Sequence, residues 1–202
     1  RELPGVRAAD FHLVQGELLG ERITRSWNRL TGAWKAFSTA LASLPADDTG
    51  TTLTRERWLL PLFEELGYGR LQTSRAEEVD GRSYPISHAW GNAPIHLVSA
   101  RIPLDRRTAG VKGAAGASPH SLVQELLNRS ASHLWAFVSN GLELRVLRDN
   151  ASLTRPAWVE VDLERLFTEE RFADFSVLWL LLHASRFGTA TSESSHCALE
   201  QW

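Results

Sequence analysis

The sequence predicts an α/β fold of the α+β kind: a mixed central sheet flanked by helices, with a helical attachment at the N-terminus. Three observations carry this expectation. Ile23, Trp27, Leu30, Trp34, Phe37, Leu41 and Leu44 recur at alternating spacings of four and three, which puts them on one stripe of a long helix. Three plausible strands follow at 71–75, 84–90 and 95–102, with Asp80-Gly81 and Gly91-Asn92 as the turns between them. The stretch 118–149 then reads as a capped helix, a buried strand, a tight turn and a second strand.

Taken in order, residues 1–20 carry a Pro4-Gly5 turn and weak periodicity, which predicts an extended arm and a short helix. The long helix over 23–44 contains Gly32, costing about 1 kcal/mol relative to Ala. Residues 45–52 (PADDTGTT) form a polar linker. Thr54 is placed to cap a second helix with Trp58, Leu59, Leu62, Phe63 and Leu66 on its buried face. Pro61 kinks it or starts its final turns, and Gly67 ends it in the left-handed conformation. After the three strands, 104–117 (LDRRTAGVKGAAGA) is rich in Gly and Ala and predicts a mobile loop.

Ser118 caps the next helix and Pro119 occupies its first position, where a missing N–H costs nothing. Leu122, Val123, Leu126 and Leu127 form its apolar stripe. Residues 134–138 are the buried strand. Asn140-Gly141 signals a two-residue type I′ hairpin turn, which needs φ > 0 at both central positions. Leu142, Leu144 and Val146 then alternate with polar neighbours, as a strand with one wet face should. A strand over 158–163 and a helix from Asp174, with Phe175, Leu178, Trp179, Leu182 and Phe187 inward, complete the domain. The expected divisions are 1–48 (arm and long helix), 49–187 (the α/β domain) and 188–202 (a linker and the start of a further helix).

Bulk properties exclude little. A net charge of −2 over 202 residues does not mark a nucleic-acid binder, though local patches outweigh totals. The single Cys197 rules out an internal disulfide and suits a reducing cytoplasm. No apolar run reaches the roughly 18 residues of a membrane span, so no membrane partner is expected. The chain contains no methionine, even at its first position, which leads us to expect a segment cut from a longer protein.

The order of elements, a helix, three strands, a helix and a returning strand, is that of the PD-(D/E)XK, or restriction-endonuclease-like, scaffold. Such a nuclease needs an acidic residue near one strand and acidic-x-Lys on the next, so that carboxylates hold Mg²⁺. Here 84–90 offers Ser87 and His88, and 95–102 reads Ile-His-Leu-Val-Ser-Ala-Arg; neither carries a carboxylate. No catalytic residue and no metal site is therefore assigned. An unorthodox acidic set, such as Glu64, Asp105 and Glu125, is the nuclease alternative. His88, His96, His120 and His133 lack zinc spacing and read as satisfied core or edge histidines. The dinucleotide, P-loop and G-x-S-x-G fingerprints are absent. Arg101, Arg106, Arg107 and Lys112 are the densest cationic cluster and the candidates for phosphate contact. Arg145 and Arg148 are expected to pair with Glu143, Glu160 or Asp162 across strands.

The runs RERWLLPLFEELGYGRL (55–71), YPISHAWGNAPIHLV (84–98), SPHSLVQELLNRSASHLWAFVSNGLELRVLRDN (118–150) and VEVDLERLF…DFSVLWLLLHASRF (159–187) together resemble a known group. They are similar to the N-terminal region of large bacterial adenine-specific DNA methyltransferases, of type IIG restriction–modification systems and DISARM-type phage defence. Ser118, Pro119, Gln124, Asn128, Asn140, Gly141, Arg145 and Arg148 carry the most specific run. The resemblance implies a parent enzyme using S-adenosylmethionine, with an Asn-Pro-Pro-Tyr-type motif that holds a flipped adenine. That motif and a cofactor loop are missing here, so no cofactor is expected in this segment. The expectation is a non-catalytic, cytoplasmic domain serving DNA engagement or docking to the C-terminal methyltransferase domain or other defence-system subunits. The alternatives are an active Mg²⁺-dependent endonuclease domain and a pure interaction module using the 23–44 helix.

Overall fold

The computed structural model describes residues 5–149, 158–187 and 197–201. A 3₁₀ turn, Ala8–Phe11, precedes helix α1, Leu19–Ala42. A second helix runs over 51–68. In it α2 (Thr51–Thr54) and α3 (Leu60–Phe63) alternate with π-helical turns Arg55–Leu59 and Glu64–Tyr68. Strands β1 (Gln72–Thr73), β2 (Glu77–Val79), β3 (Arg82–Tyr84), β4 (His88–Trp90) and β5 (Ala93–Leu97) follow. Then come α4 (Pro119–Arg129), β6 (Trp135–Ser139), β7 (Glu143–Arg148), β8 (Trp158–Asp162), α5 (Leu163–Thr168), α6 (Phe172–Leu182) and α7 (Ala198–Gln201).

The main sheet has six strands in the order β1-β4-β5-β6-β7-β8. Only β5 and β6 pair in parallel; the other neighbours are antiparallel, so the sheet is mixed. The parallel pair requires a crossover, and α4 supplies it. The two faces bury separate cores. On one, Ile95, Leu97, Phe137, Leu144 and Val146 pack under α1, the 51–68 helix and α6. On the other, Val98, Ala136, Val138 and Leu147 pack under the α4 stripe of Leu122, Val123, Leu126 and Leu127. The alternation along β6 (Ala136 one way, Phe137 the other) is the strand period of two.

Several expectations hold in detail. The seven-residue seam is buried at Ile23, Leu30, Trp34 and Phe37, with Trp27 and Leu41 half-buried against the same core. Trp34 and Phe37 meet Trp58 at ring-centroid distances of 5.1 and 6.2 Å. The long helix is thus part of the core of the α/β unit rather than an appendage to it. Ser118 Oγ accepts from the Ser121 N–H at 3.2 Å with Pro119 next in line. Gly67 is left-handed (φ 86°) and lies against the His183 ring, leaving no room for a Cβ.

Other expectations are corrected. Residues 84–90 do not form one strand: Tyr84 ends a separate hairpin, β2–β3, and β4 starts at His88. The second helix begins one turn before Thr54, with Gly50 as its N-cap. Thr54 instead donates to the Gly50 carbonyl and accepts from the Ala100 N–H. Pro61 does not break the helix; the wider π turns on either side accommodate its absent N–H. The Asn140-Gly141 turn is not type I′. Ser139 pairs with Leu144, leaving four residues in the loop, and only Gly141 has positive φ. Tertiary contacts impose this shape. Asn140 Oδ1 accepts from the N–H groups of Leu142 and Glu143, its amide donates to the Ile102 carbonyl, and Trp58 Nε1 donates to the Gly141 carbonyl. The two-residue turn with both φ positive is Asp80-Gly81, between Val79 and Arg82. Asn150 and most of the expected 188–202 linker lie outside the described residues.

Candidate functional site

The four cationic candidates separate. The Arg101 guanidinium donates to the carbonyls of Leu44, Pro45, Ala46 and Asp48, so it clamps the exit of α1. That use of its donors corrects the expectation that it is free for a phosphate. Arg106 and Arg107 are exposed and make no hydrogen bond among the described residues. Lys112 is likewise unpartnered, but lines a cleft. The loop carrying them is anchored: Leu104 and Ala114 are buried, Thr108 N–H donates to the Ala114 carbonyl, and the Gly113 carbonyl accepts from a buried histidine.

The motif residues of 118–149 are structural in place. Gln124 donates to Asn128 Oδ1 and to the Arg148 carbonyl, tying α4 to β7. Arg148 itself donates to the Asp149 carbonyl. Arg145 is 5% exposed on the α4 face and is met by three carboxylates: Asp105 (2.6 and 2.8 Å), Glu160 (2.6 Å) and Glu143 (3.4 Å). Its hydrogen bond to Asp105 holds that carboxyl below the usual range. The expected partners Glu143 and Glu160 are found; Asp162 instead caps α5, accepting from the Arg165 N–H. Of the acidic set Glu64, Asp105 and Glu125, the last is engaged by Arg82 and Arg129, and Asp105 by Arg145. These two carboxylates therefore belong to different ion-pair clusters. Among the described residues no three His, Cys, Asp or Glu side chains gather as a metal site.

The cleft that Lys112 lines is the feature sequence reading missed. It measures about 510 Å³ and lies where the N-terminal part of the 51–68 helix, the β1 and β4 ends, and the 110–112 turn converge. Arg55 projects from the helix, donating through Nε and Nη2 to the Leu97 carbonyl at the end of β5. Its Nη1 is unpartnered and no carboxylate pairs with it among the described residues. Burial lowers its pKa, so its charge is held at a cost.

Two histidines flank Arg55. Ser87 Oγ accepts the Leu97 N–H (2.8 Å), lies 3.2 Å from the Ile95 carbonyl and shares a hydrogen bond with His88 Nδ1 (2.9 Å). His88 Nε2 is left without a partner among the described residues, an acceptor or a donor according to which way that shared proton lies. That atom is not sealed in the interior, nor is Arg55 Nη1. His96 is 1% exposed and donates through Nε2 to the Gly113 carbonyl at 2.9 Å, leaving Nδ1 buried with no partner. Burial, then the Arg55 charge, lowers His88 to about 4. Burial, partly opposed by the Gly113 hydrogen bond, lowers His96 to about 4. Both rings are neutral at pH 7. The cleft thus offers a guanidinium with no carboxylate bonded to it among the described residues, an unpartnered imidazole nitrogen and an ammonium at its rim. No local motif could reveal it, because its parts come from four separate segments.

His133 is held by Glu77 (2.6 Å) and the Asn92 carbonyl, and His120 packs on Trp158 beside Arg145, so each is structurally occupied. A second, apolar groove of about 410 Å³ runs between β8 and α6, with Val159, Val177 and Leu181 exposed. None of the described helices is long and apolar enough to cross a membrane. No family model, curated protein or solved structure matches the chain.

Proposed function

We propose that the chain is a non-catalytic, restriction-endonuclease-like N-terminal domain of an S-adenosylmethionine-dependent, adenine-specific DNA methyltransferase, acting in the cytoplasm in restriction–modification or phage defence. Its role is DNA engagement. One observation carries this reading. The order helix, β1-β4-β5, α4 and a parallel β6 agrees with the order expected of a nuclease-like scaffold, and beside the β4–β5 pair, where such a scaffold would keep its carboxylates, Arg55, His88 and Lys112 line a cleft instead. A cationic site there favours holding a phosphate over hydrolysing one with a metal. Arg106 and Arg107 are exposed on the same loop as Lys112 and add further positive charge to it. S-adenosylmethionine and the flipped base belong to the parent's methyltransferase domain.

Fluorescence anisotropy of the chain with duplex DNA over a salt series tests this. Replacing Arg106, Arg107 and Lys112 together by Ala is expected to weaken binding and to lower the log–log salt slope by about 2–3. An unchanged slope would remove the loop from the interface. Cleavage of plasmid with Mg²⁺, abolished by Asp105→Ala, would replace the proposal with the endonuclease alternative. The second reading, docking onto the C-terminal methyltransferase domain, is favoured by the exposed apolar strip of Val159, Val177 and Leu181. It predicts that Val177→Asp releases that domain without changing the salt slope.

A further inference from the structure

The unsatisfied atoms of the cleft define its ligand more narrowly than charge does. Arg55 Nη1 and Lys112 Nζ are donors and want anionic oxygens. His88 Nε2 has no partner in the same cleft and takes a proton donor or an acceptor according to its tautomer. The Glu56 carboxylate also lines the space, so with both histidines neutral the lining carries one net positive charge. A track for a polyanionic backbone would carry more. The volume of about 510 Å³ falls among small-ligand sites.

A ligand that satisfies these atoms whichever nitrogen of His88 holds the proton must be able to present anionic oxygens and a hydroxyl close together. A phosphodiester has the anion and no proton to give. A carboxylate has the same defect at neutral pH. A phosphate monoester supplies either on one phosphorus, because its second ionisation lies near pH 6. Two of its oxygens can take Arg55 and Lys112 while the third meets His88. As the dianion that third oxygen accepts from an Nε2–H, and as the monoanion its P–OH donates to a bare Nε2, so the contact is made with either neutral tautomer of the ring. His96 backs the site, its ring fixed by the hydrogen bond between Nε2 and the Gly113 carbonyl.

We propose that the Arg55–His88 cleft binds a phosphate monoester, the group that ends a nucleic-acid strand. Only the choice of a strand end over a free nucleotide rests on the DNA-engagement reading. The site makes the domain a reader of 5′-phosphorylated ends, as cut or replicating DNA presents.

The test titrates the full chain with a 5′-phosphorylated single-stranded 12-mer, the same 12-mer with a 5′-hydroxyl, deoxyadenosine monophosphate and inorganic phosphate, following the histidine ring resonances by NMR and affinity by calorimetry. The phosphorylated 12-mer is expected to bind at least tenfold tighter than its hydroxyl twin, with the His88 resonances shifting. Arg55→Ala should erase that preference and Lys112→Ala should reduce it, whereas Arg106→Ala/Arg107→Ala should weaken both oligonucleotides equally. Arg55→Lys, which keeps the charge, serves as the folded control and should retain part of the preference. Equal binding of the two 12-mers overturns the strand-end proposal while leaving general DNA engagement intact. If neither oligonucleotide binds but the monophosphate shifts His88, DNA engagement fails and the ligand is a free nucleotide. If none of the four moves His88, or the preference survives Arg55→Ala, the cleft is not a monoester site.

Discussion

Arg145 and Arg55 answer the same problem in opposite ways. Each is drawn into the protein beside a histidine, at a strand of the main sheet. Around Arg145 the fold supplies Asp105, Glu160 and Glu143, a complete set of partners for a fixed fork of donors. Around Arg55 it supplies one backbone carbonyl and no carboxylate among the described residues. A saturated guanidinium locks elements together, here β7, β8 and the 104–117 loop. An unsaturated one keeps a donor in reserve, and desolvation makes that reserve expensive. Both are arginines at ordinary places in the sequence; the partners alone distinguish architecture from site.

The largest effect expected along this contrast is with pH. His88, His96 and His183 each titrate near 4 in the folded chain, against about 6.5 when unfolded, burial being the main cause in each. Between those values the unfolded chain binds protons that the folded chain does not. Stability is therefore full above about pH 6.5 and declines as pH falls toward 4, by several kcal/mol in all. Urea unfolding at pH 7, 6 and 5 measures it; a midpoint constant over that span would show that these rings are not held neutral. Next in size is the removal of each arginine. Arg145→Met strands three carboxylates around one apolar side chain and should cost about 3 kcal/mol, reduced somewhat because those carboxylates reach solvent. Arg55→Met strands only the Leu97 carbonyl and should cost about 1 kcal/mol. Equal costs would dissolve the distinction between lock and reserve. The smallest effect is Lys112→Ala, expected within about 0.5 kcal/mol of the parent in the same unfolding assay, because the side chain is exposed and unpartnered.

What the sequence made legible was periodic or local. The seam from Ile23 to Leu41, the Ser118–Pro119 start of α4 and the left-handed Gly67 are each specified by neighbours a few positions away. The misreadings arise where distant residues take over. Asn140 follows Ile102 and Gly141 follows Trp58, so a dipeptide that elsewhere makes a two-residue turn makes a four-residue one. Arg101, placed among the phosphate candidates, is spent on carbonyls more than 50 positions earlier in the chain. Residues 84–90 look continuous, yet Tyr84 and His88 belong to different sheets. The cleft needed Arg55, His88, His96 and Lys112 to be brought together. Nothing in the 32 to 56 residues between the first and the others carries that information.

The first π turn, Arg55–Leu59, has a bearing on how such a site can come and go. A π turn is an α-helix with one residue too many. Deleting a single residue there would restore α-helical pitch and swing everything N-terminal to it by roughly 100° about the helix axis. Trp58 and Leu59 would stay seated in the core while Arg55 turned away from the Leu97 carbonyl. The cleft could therefore be lost or acquired by one codon's insertion or deletion, at the cost of the buried Thr54 contact with Ala100 but with Trp58 and Leu59 keeping their places in the core.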